Sequence, residues 1–210
     1  MEACILIRFQ NLDISKKQKI INIAIHEFMK HGYEKASTNT IAKESSISKG
    51  SLFNYFMSKK QLFEFLVDYS VDIIELLYLK IDQSERDLFL RLENIGIQKL
   101  EIQVQHPNIF DFIKSLKHEE SKEVKPLIQS KFTTIVTKGI EKIYQDIDFS
   151  KFRDDIDINK AIEIINWTMF GFSEKALSEI GSFTQIPTLG EKYLNDWREY
   201  SRFLKKLFYK

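Results

Sequence analysis

Three observations predict an all-α protein for this chain of 210 residues. It holds only three Pro and seven Gly, apolar residues recur at three- and four-residue intervals almost throughout, and helix-opening capping boxes recur along it. With 43% apolar and 29% charged residues the composition is that of a soluble globular protein of one or two domains.

Taken in order, Ser15-x-x-Gln18 reads as a capping box that opens a first helix, with Ile20, Ile23, Ala24 and Phe28 on one face and a stop at Gly32. Ser37 begins a short second helix carrying Ile41 and Ala42, and Ser48 begins a third that ends near Phe56. Ser58-x-x-Gln61 is a second capping box and opens a long fourth helix with Leu62, Leu66 and Tyr69 on one side. Further helices are expected at about 85–104, 107–116, 121–146, 157–181 and 189–208. Pro107 suits a first helical position, Pro126 suits a first turn or a kink, and Thr188-x-x-Glu191 is a third capping box. The organisation expected is a head and arm at 1–60, with its core at 15–59, joined by the fourth helix to a larger helical body at 61–210.

Several classes lose ground at once. The single Cys4 makes no internal disulfide and has no Cys or His at metal-ligand spacing, which suits a reducing cytoplasm. Met1 to Asp13 lacks the marks of a signal peptide, and Lys, Glu or Asp interrupts every apolar run before it could span a membrane, so a cytoplasmic location is expected. His26, His31, His106 and His118 are dispersed, His118-Glu119-Glu120 has no second His, and no glycine-rich phosphate loop occurs; no enzyme, cofactor or metal site is expected. Glu119-Glu120 and Asp154-Asp155 read as solvated loop charges, and His106 as a cap. The net charge of +1 is uninformative as a sum. Its distribution is not: residues 1–64 carry ten Lys/Arg against six Asp/Glu, and residues 65–210 carry 21 against 24, which puts a basic surface at the amino end.

Residues 37–59 have the pattern of a helix-turn-helix. A small residue, Ala42, sits where the second short helix must cross the first, Ile47 plugs the turn, and Leu52 and Phe56, four apart, face inward. Lys49, Gly50, Ser51, Phe53, Asn54 and Tyr55 are left to solvent or to a groove. Helix starts at Ser37 and Ser48, with Thr38 beside the first, suit phosphate. Lys49 can reach a guanine edge, Ser51 can donate or accept at most bases, and Gly50 permits close approach. Tyr55, Asn54 and Lys59 suit backbone phosphates. Against this, Asn54 reads equally well as a solvated residue, and Thr38, Asn39 and Thr40 as residues that shape a cap.

The run Gly32-Tyr33-Glu34-Lys35-Ala36-Ser37-Thr38-Asn39-Thr40-Ile41-Ala42, followed by Ile47-Ser48-Lys49-Gly50-Ser51-Leu52-Phe53-Asn54-Tyr55-Phe56-Met57-Ser58-Lys59, closely resembles the TetR (tetracycline repressor-like) family of transcriptional regulators. The resemblance implies phosphate contacts from Ser37, Tyr55 and Lys59, and base edges facing Lys49, Gly50 and Ser51. It further implies a homodimer on a palindromic double-stranded operator, a ligand pocket in the body, two closing helices at the dimer interface, and repression as the usual mode. Three positions depart from the family pattern. Phe53 stands for a common Tyr and loses a hydroxyl, Ser46 stands where the turn often has Gly and a left-handed conformation costs Ser about 1 kcal/mol, and Lys60 replaces an acid.

In the body, Phe110, Tyr144, Trp167 and Phe170 are candidates to line a pocket for a small apolar or aromatic effector. Ala161, Ile165, Thr168 and Phe172, and Tyr193, Trp197, Tyr200, Leu204 and Leu207, form two helical stripes. Ile165, Phe172, Trp197 and Leu204 are the interface residues expected from them, and the rival reading has both stripes facing the protein's own core. The alternative function is a helical ligand carrier or interaction module whose head no longer binds specific DNA.

Overall fold

The structure, a computed structural model, describes residues 8–210, so Cys4 and the apolar run around it lie outside the described residues. Among those described the architecture is all-α, apart from one isolated antiparallel bridge between Phe152 and Tyr209. The helices are α1 (Ile14–Lys35), α2 (Thr38–Glu44), α3 (Lys49–Tyr55), α4 (Lys59–Leu79), α5 (Leu88–Gln105), α6 (Pro107–Leu116), α7 (Lys125–Tyr144), α8 (Ile158–Glu179) and α9 (Ile186–Phe208), with single 3-10 turns at Phe149–Lys151 and Phe183–Gln185.

Their termini follow from local chemistry. Ser15 is not the cap expected of it: Asp13 takes that place, its carboxylate accepting from the Lys16 N–H at 2.8 Å. Gly32 interrupts α1 at φ 66° and ψ 171°, a conformation that a side chain would resist. Ser37 and Ser48 cap α2 and α3 as the sequence predicts. Ser58 accepts from the Gln61 N–H at 3.1 Å, while the Gln61 side chain reaches back to Met57 rather than to Ser58. Pro107 opens α6, and Pro126 lies in the first turn of α7. The expected box at Thr188 is absent because α9 starts earlier, at Ile186, with Pro187 in its first turn and no side-chain cap.

The packing falls into two compact units: Met1–Asp72 with Asn108–Thr134, and Ile73–Pro107 with Ile135–Lys210. This cut differs from a boundary at residue 60, since α6 and the first half of α7 pack in the same unit as the head. Within that unit Ile20, Ala24, Phe28, Ile41, Leu52, Leu62, Phe63 and Leu66 form a core. Phe63 is central to it, meeting Phe28, Tyr33 and Phe112 edge-on with ring centroids 5.0, 5.2 and 6.0 Å away.

The second unit is built around Leu88, Phe89, Leu92, Ile143, Phe152, Ala161, Ile165, Trp197, Leu204 and Tyr209. At its centre lies a buried charge, Arg91, 1% exposed. Its guanidinium donates to the carbonyls of Gln83, Glu85, Ile143 and Gln145. It thus ties the loop before α5 to the end of α7, and every carbonyl it satisfies would otherwise be short of a donor. Asp87, also buried, caps α5 through the Phe89 and Leu90 N–H groups and receives Lys151 and Lys205.

Candidate nucleic-acid interface

The turn between α2 and α3 is built as the sequence predicts. Ile41 is fully buried, Ala42 is 3% exposed, and the Ile47 N–H closes onto the Ala42 carbonyl at 3.0 Å. Ser46 occupies the left-handed region at φ 60°, a conformation that costs a residue with a Cβ about 1 kcal/mol. Lys19 donates to its hydroxyl at 2.9 Å and holds it there. Leu52 and Phe56, 1% and 3% exposed, turn α3 inward. Lys49, Gly50 and Asn54 are exposed, and Ser51, Phe53 and Tyr55 are half-buried.

The outer face of α3 is spare in its own contacts. Ser48 caps the helix through the Ser51 N–H at 3.0 Å, and the two hydroxyls lie 2.9 Å apart. Lys49 Nζ stands 5.9 Å from the Phe53 ring centroid, one turn along, so the ring that replaces a family Tyr carries a cation above it. A Cβ at Gly50 would meet nothing closer than Ser48 Oγ at 3.8 Å. The protein's own packing therefore does not require glycine there.

Two residues expected at the phosphates are already engaged. The Ser37 hydroxyl accepts from the Thr40 N–H, and the Ser37 N–H donates to Glu27 Oε1 at 2.8 Å, so this N–H is not the open anchor that the sequence suggested. Lys59 Nζ donates to the carbonyls of Glu34 and Ala36 at 2.9 and 3.4 Å and lies 4.9 Å from the Tyr33 ring centroid. It satisfies carbonyls at the end of α1 and pins the start of α4 to them.

Sequence reasoning missed the residues that hold the 33–37 segment. Glu27, 6% exposed, sits on the inner face of α1 beside Phe28; an acid on an apolar stripe was the available signal. Glu119, expected as a solvated charge, accepts from the Tyr33 N–H at 2.8 Å and from the Ser121 N–H at 2.8 Å, and Ser121 bonds to the Glu34 carboxylate. Glu120 is indeed exposed and pairs with Lys125. Burial and a hydrogen bond to Glu123 push the Tyr33 hydroxyl well above the usual tyrosine range.

The body residues divide differently from the expectation. Tyr144 is half-buried and donates to Asn166 Oδ1 at 2.9 Å, and burial pushes its hydroxyl well up. Trp167 and Phe170 are 67% and 41% exposed on α8, and Phe110 is half-buried in the other unit. None of these four lines the groove described below. Ile165, Trp197 and Leu204, expected at an interface, are 0%, 7% and 5% exposed and belong to the unit's own core, with Phe172 packed against it, 5.6 Å from the Trp197 ring. The outward stripe of the last two helices is instead Ile164, Trp167 and Phe170 on α8, and Tyr200, Phe203 and Leu207 on α9. Between the C-terminal part of α8 and α9 runs an open groove of ≈ 420 Å³ lined by Phe172, Tyr193, Tyr200 and Phe203 with Lys175 and Glu199. His106 caps α5, and burial holds its pKa below the usual histidine value. No group of His, Cys, Asp and Glu suited to a metal ion and no helix long and apolar enough to cross a membrane occurs among the described residues.

A tight pair of seven-residue helices, the second presenting a small polar face, defines a helix-turn-helix DNA-binding head on a helical body. Residues 20–66 match the family model for bacterial regulatory proteins of the tetR family, so the head carries the helix-turn-helix of that family. Among curated proteins it is similar to the HTH-type transcriptional repressor AcnR of Corynebacterium efficiens, 23% identical over 80% of this chain and 89% of that one. It is also similar to the negative transcriptional regulator IcaR of the icaADBC biofilm operon of Staphylococcus aureus, 29% identical over 64% and 86%. Among solved structures, a complex of SmeT with triclosan shares the fold with a TM-score of 0.66 and 14% identity, over 93% of this chain and 92% of that one; SmeT is the repressor of a Stenotrophomonas maltophilia multidrug efflux pump.

Proposed function

We propose that this chain is a homodimeric, sequence-specific DNA-binding repressor released from its operator by a small apolar or aromatic molecule bound in the body. The observation that carries the reading is the first turn of α3. Lys49 and Gly50 are exposed, Ser51 stands beside them, and among the described residues a Cβ at Gly50 would meet only Ser48 Oγ, at 3.8 Å. Lys49 and Ser51 would read base edges in the major groove, with Gly50 letting the helix approach. Asn54, Tyr55 and the start of α2 at Thr38 would meet phosphates. Lys59 would act there only through its charge, since two carbonyls hold its ammonium.

A second copy is expected on the outward stripe of α8 and α9, giving a four-helix bundle with Trp167 and Phe203 as its anchors. Two heads about 34 to 36 Å apart would then enter successive major grooves of a palindromic site. Effector control would act on that spacing. The ligand shifts the population only as far as it prefers one spacing over the other. The repressors AcnR and IcaR support the sign of regulation, and the triclosan complex of SmeT supports an aromatic effector.

A gel shift with DNA from upstream of the protein's own gene tests the reading. One fragment is expected to give a specific band that weakens steeply between 50 and 200 mM salt, by about 10³-fold for six phosphate contacts. No specific band with any flanking fragment would count against it, and so would turnover or ligand carriage that survives loss of the head.

A further inference from the structure

Phe9, five residues ahead of α1, is 2% exposed. Its ring meets three others: Phe56 at 4.9 Å, Phe65 at 5.2 Å and Tyr55 at 6.0 Å between centroids, the last two edge-on. Phe56 and Phe65 also touch each other at 5.2 Å, and Phe65 stacks on Tyr69. Tyr55 is the last residue of α3, Phe56 is its C-cap, and Phe65 lies on α4. The ring of Phe9 is therefore a wedge between the end of the recognition helix and the helix that follows it.

The backbone around Phe9 is fastened as well. The Leu12 N–H closes a turn onto the Phe9 carbonyl at 3.1 Å, Lys17 Nζ donates to the Gln10 carbonyl at 2.8 Å, and Asp13 caps α1. Segment 8–13 thus folds onto the head from the α1 side and delivers one aromatic ring to α3. Helix α3 needs such support. It has only seven residues, too few to hold its own geometry without tertiary contacts, and of these Leu52 alone is buried.

We infer that Phe9 is a positioning residue of the DNA interface: its ring fixes the Tyr55 ring and the last turn of α3, so that the Tyr55 hydroxyl is held ready for a phosphate. This rests on the DNA-binding reading above. An edge-on aromatic contact restricts the direction of a ring as well as burying area, and a phosphate contact places a helix in the groove only if its own side chain is fixed. The segment ahead of α1 is then part of the recognition apparatus, a buttress at the end of α3 opposite Lys49 and Gly50.

The full-length protein tests this with Phe9→Ala, Tyr55→Phe and the double variant, in two measurements. In the first, hydrogen exchange is followed without DNA. Phe9→Ala is expected to speed exchange at the amides of residues 52–56 about tenfold or more while residues 20–28 keep their rates; unchanged rates at 52–56 overturn the inference whether or not DNA is bound. In the second, affinity is measured on the fragment that wild type binds. Phe9→Ala and Tyr55→Phe are each expected to weaken binding about five- to tenfold, and the double variant about as much as one alone, because the two act through one contact. Losses that multiply, or a Phe9→Ala protein with wild-type affinity, overturn it. If Phe9→Ala does not fold, Phe9→Leu, which keeps apolar volume but not the ring edge, is expected to fold and to show the same non-additivity. A wild type that binds no fragment while exchange at 52–56 still responds to Phe9→Ala would break the DNA-binding reading and leave Phe9 as a packing residue only.

Discussion

The helix-turn-helix and the α8–α9 pair are both made of amphipathic helices, yet they use their apolar residues in opposite ways. In the head, helices of seven residues have one apolar face each, and Ile41, Ala42, Leu52 and Phe56 spend all of it inward. What is left outside is polar, small or charged, apart from the half-buried ring of Phe53. In α8 and α9, of 22 and 23 residues, both faces are apolar: Ile165, Trp197 and Leu204 point in, and Ile164, Trp167 and Phe203 point out. The difference separates a surface suited to a polyanion from one suited to another copy of the same helices.

The contrast can be broken at several points. The largest effect is expected inside the second unit, where Arg91→Ala leaves carbonyls without a donor and should cost about 3–5 kcal/mol. Both tryptophans of the chain, Trp167 and Trp197, lie in that unit, so urea unfolding followed by tryptophan fluorescence reads it directly. Next, Trp167→Glu with Phe203→Glu should weaken self-association about 100-fold or more while leaving the core intact. On the proposed dimer, sedimentation velocity is expected to show wild type as a dimer and this variant as a monomer, and a variant kept dimeric would shift the interface elsewhere.

A smaller effect concerns Asp87. Burial raises its pKa, but the hydrogen bonds from Lys205, the Leu90 N–H and Lys151 outweigh it, so the net shift is downward. A depressed carboxylate pKa gives stability that is present above the unfolded value near 3.9 and lost as pH falls through the folded value. Asp87→Asn should lower stability by about 1–2 kcal/mol at neutral pH and flatten the acid limb of the stability profile. The smallest effect is expected at the turn. Ser46→Gly relieves the left-handed strain at the loss of the Lys19 bond, and should raise thermal stability by about 0.5 kcal/mol, at most 1.

The same contrast explains what the sequence disclosed. The head was legible because short helices leave no freedom in register: Ser37 and Ser48 had to be caps, and Ala42 and Ile47 had to meet at the turn. Body helices were legible as helices, and the starts of α5, α7 and α9 moved most from expectation, from 85, 121 and 189 to Leu88, Lys125 and Ile186. Their facing was not. A shift of one position, 164 for 165 or 203 for 204, turns a helix by about 100°, and with apolar residues on both sides periodicity cannot choose between core and interface. Contacts between distant segments were equally hidden. Glu119 reaching Tyr33, and Phe9 reaching Tyr55, depend on how chain ends and loops fold back, which no local pattern encodes.

The most direct test of the central claim, that the exposed turn of α3 reads DNA, is a pair of anisotropy titrations on the bound upstream fragment and on a scrambled duplex. Lys49→Ala is the variant to compare with wild type. The account predicts that it weakens the specific fragment by about 1–3 kcal/mol, tenfold or more, and the scrambled duplex far less, with the fold unchanged. An equal loss on both duplexes would reduce Lys49 to a phosphate contact, and no loss on either would contradict the assignment of α3 as the recognition helix.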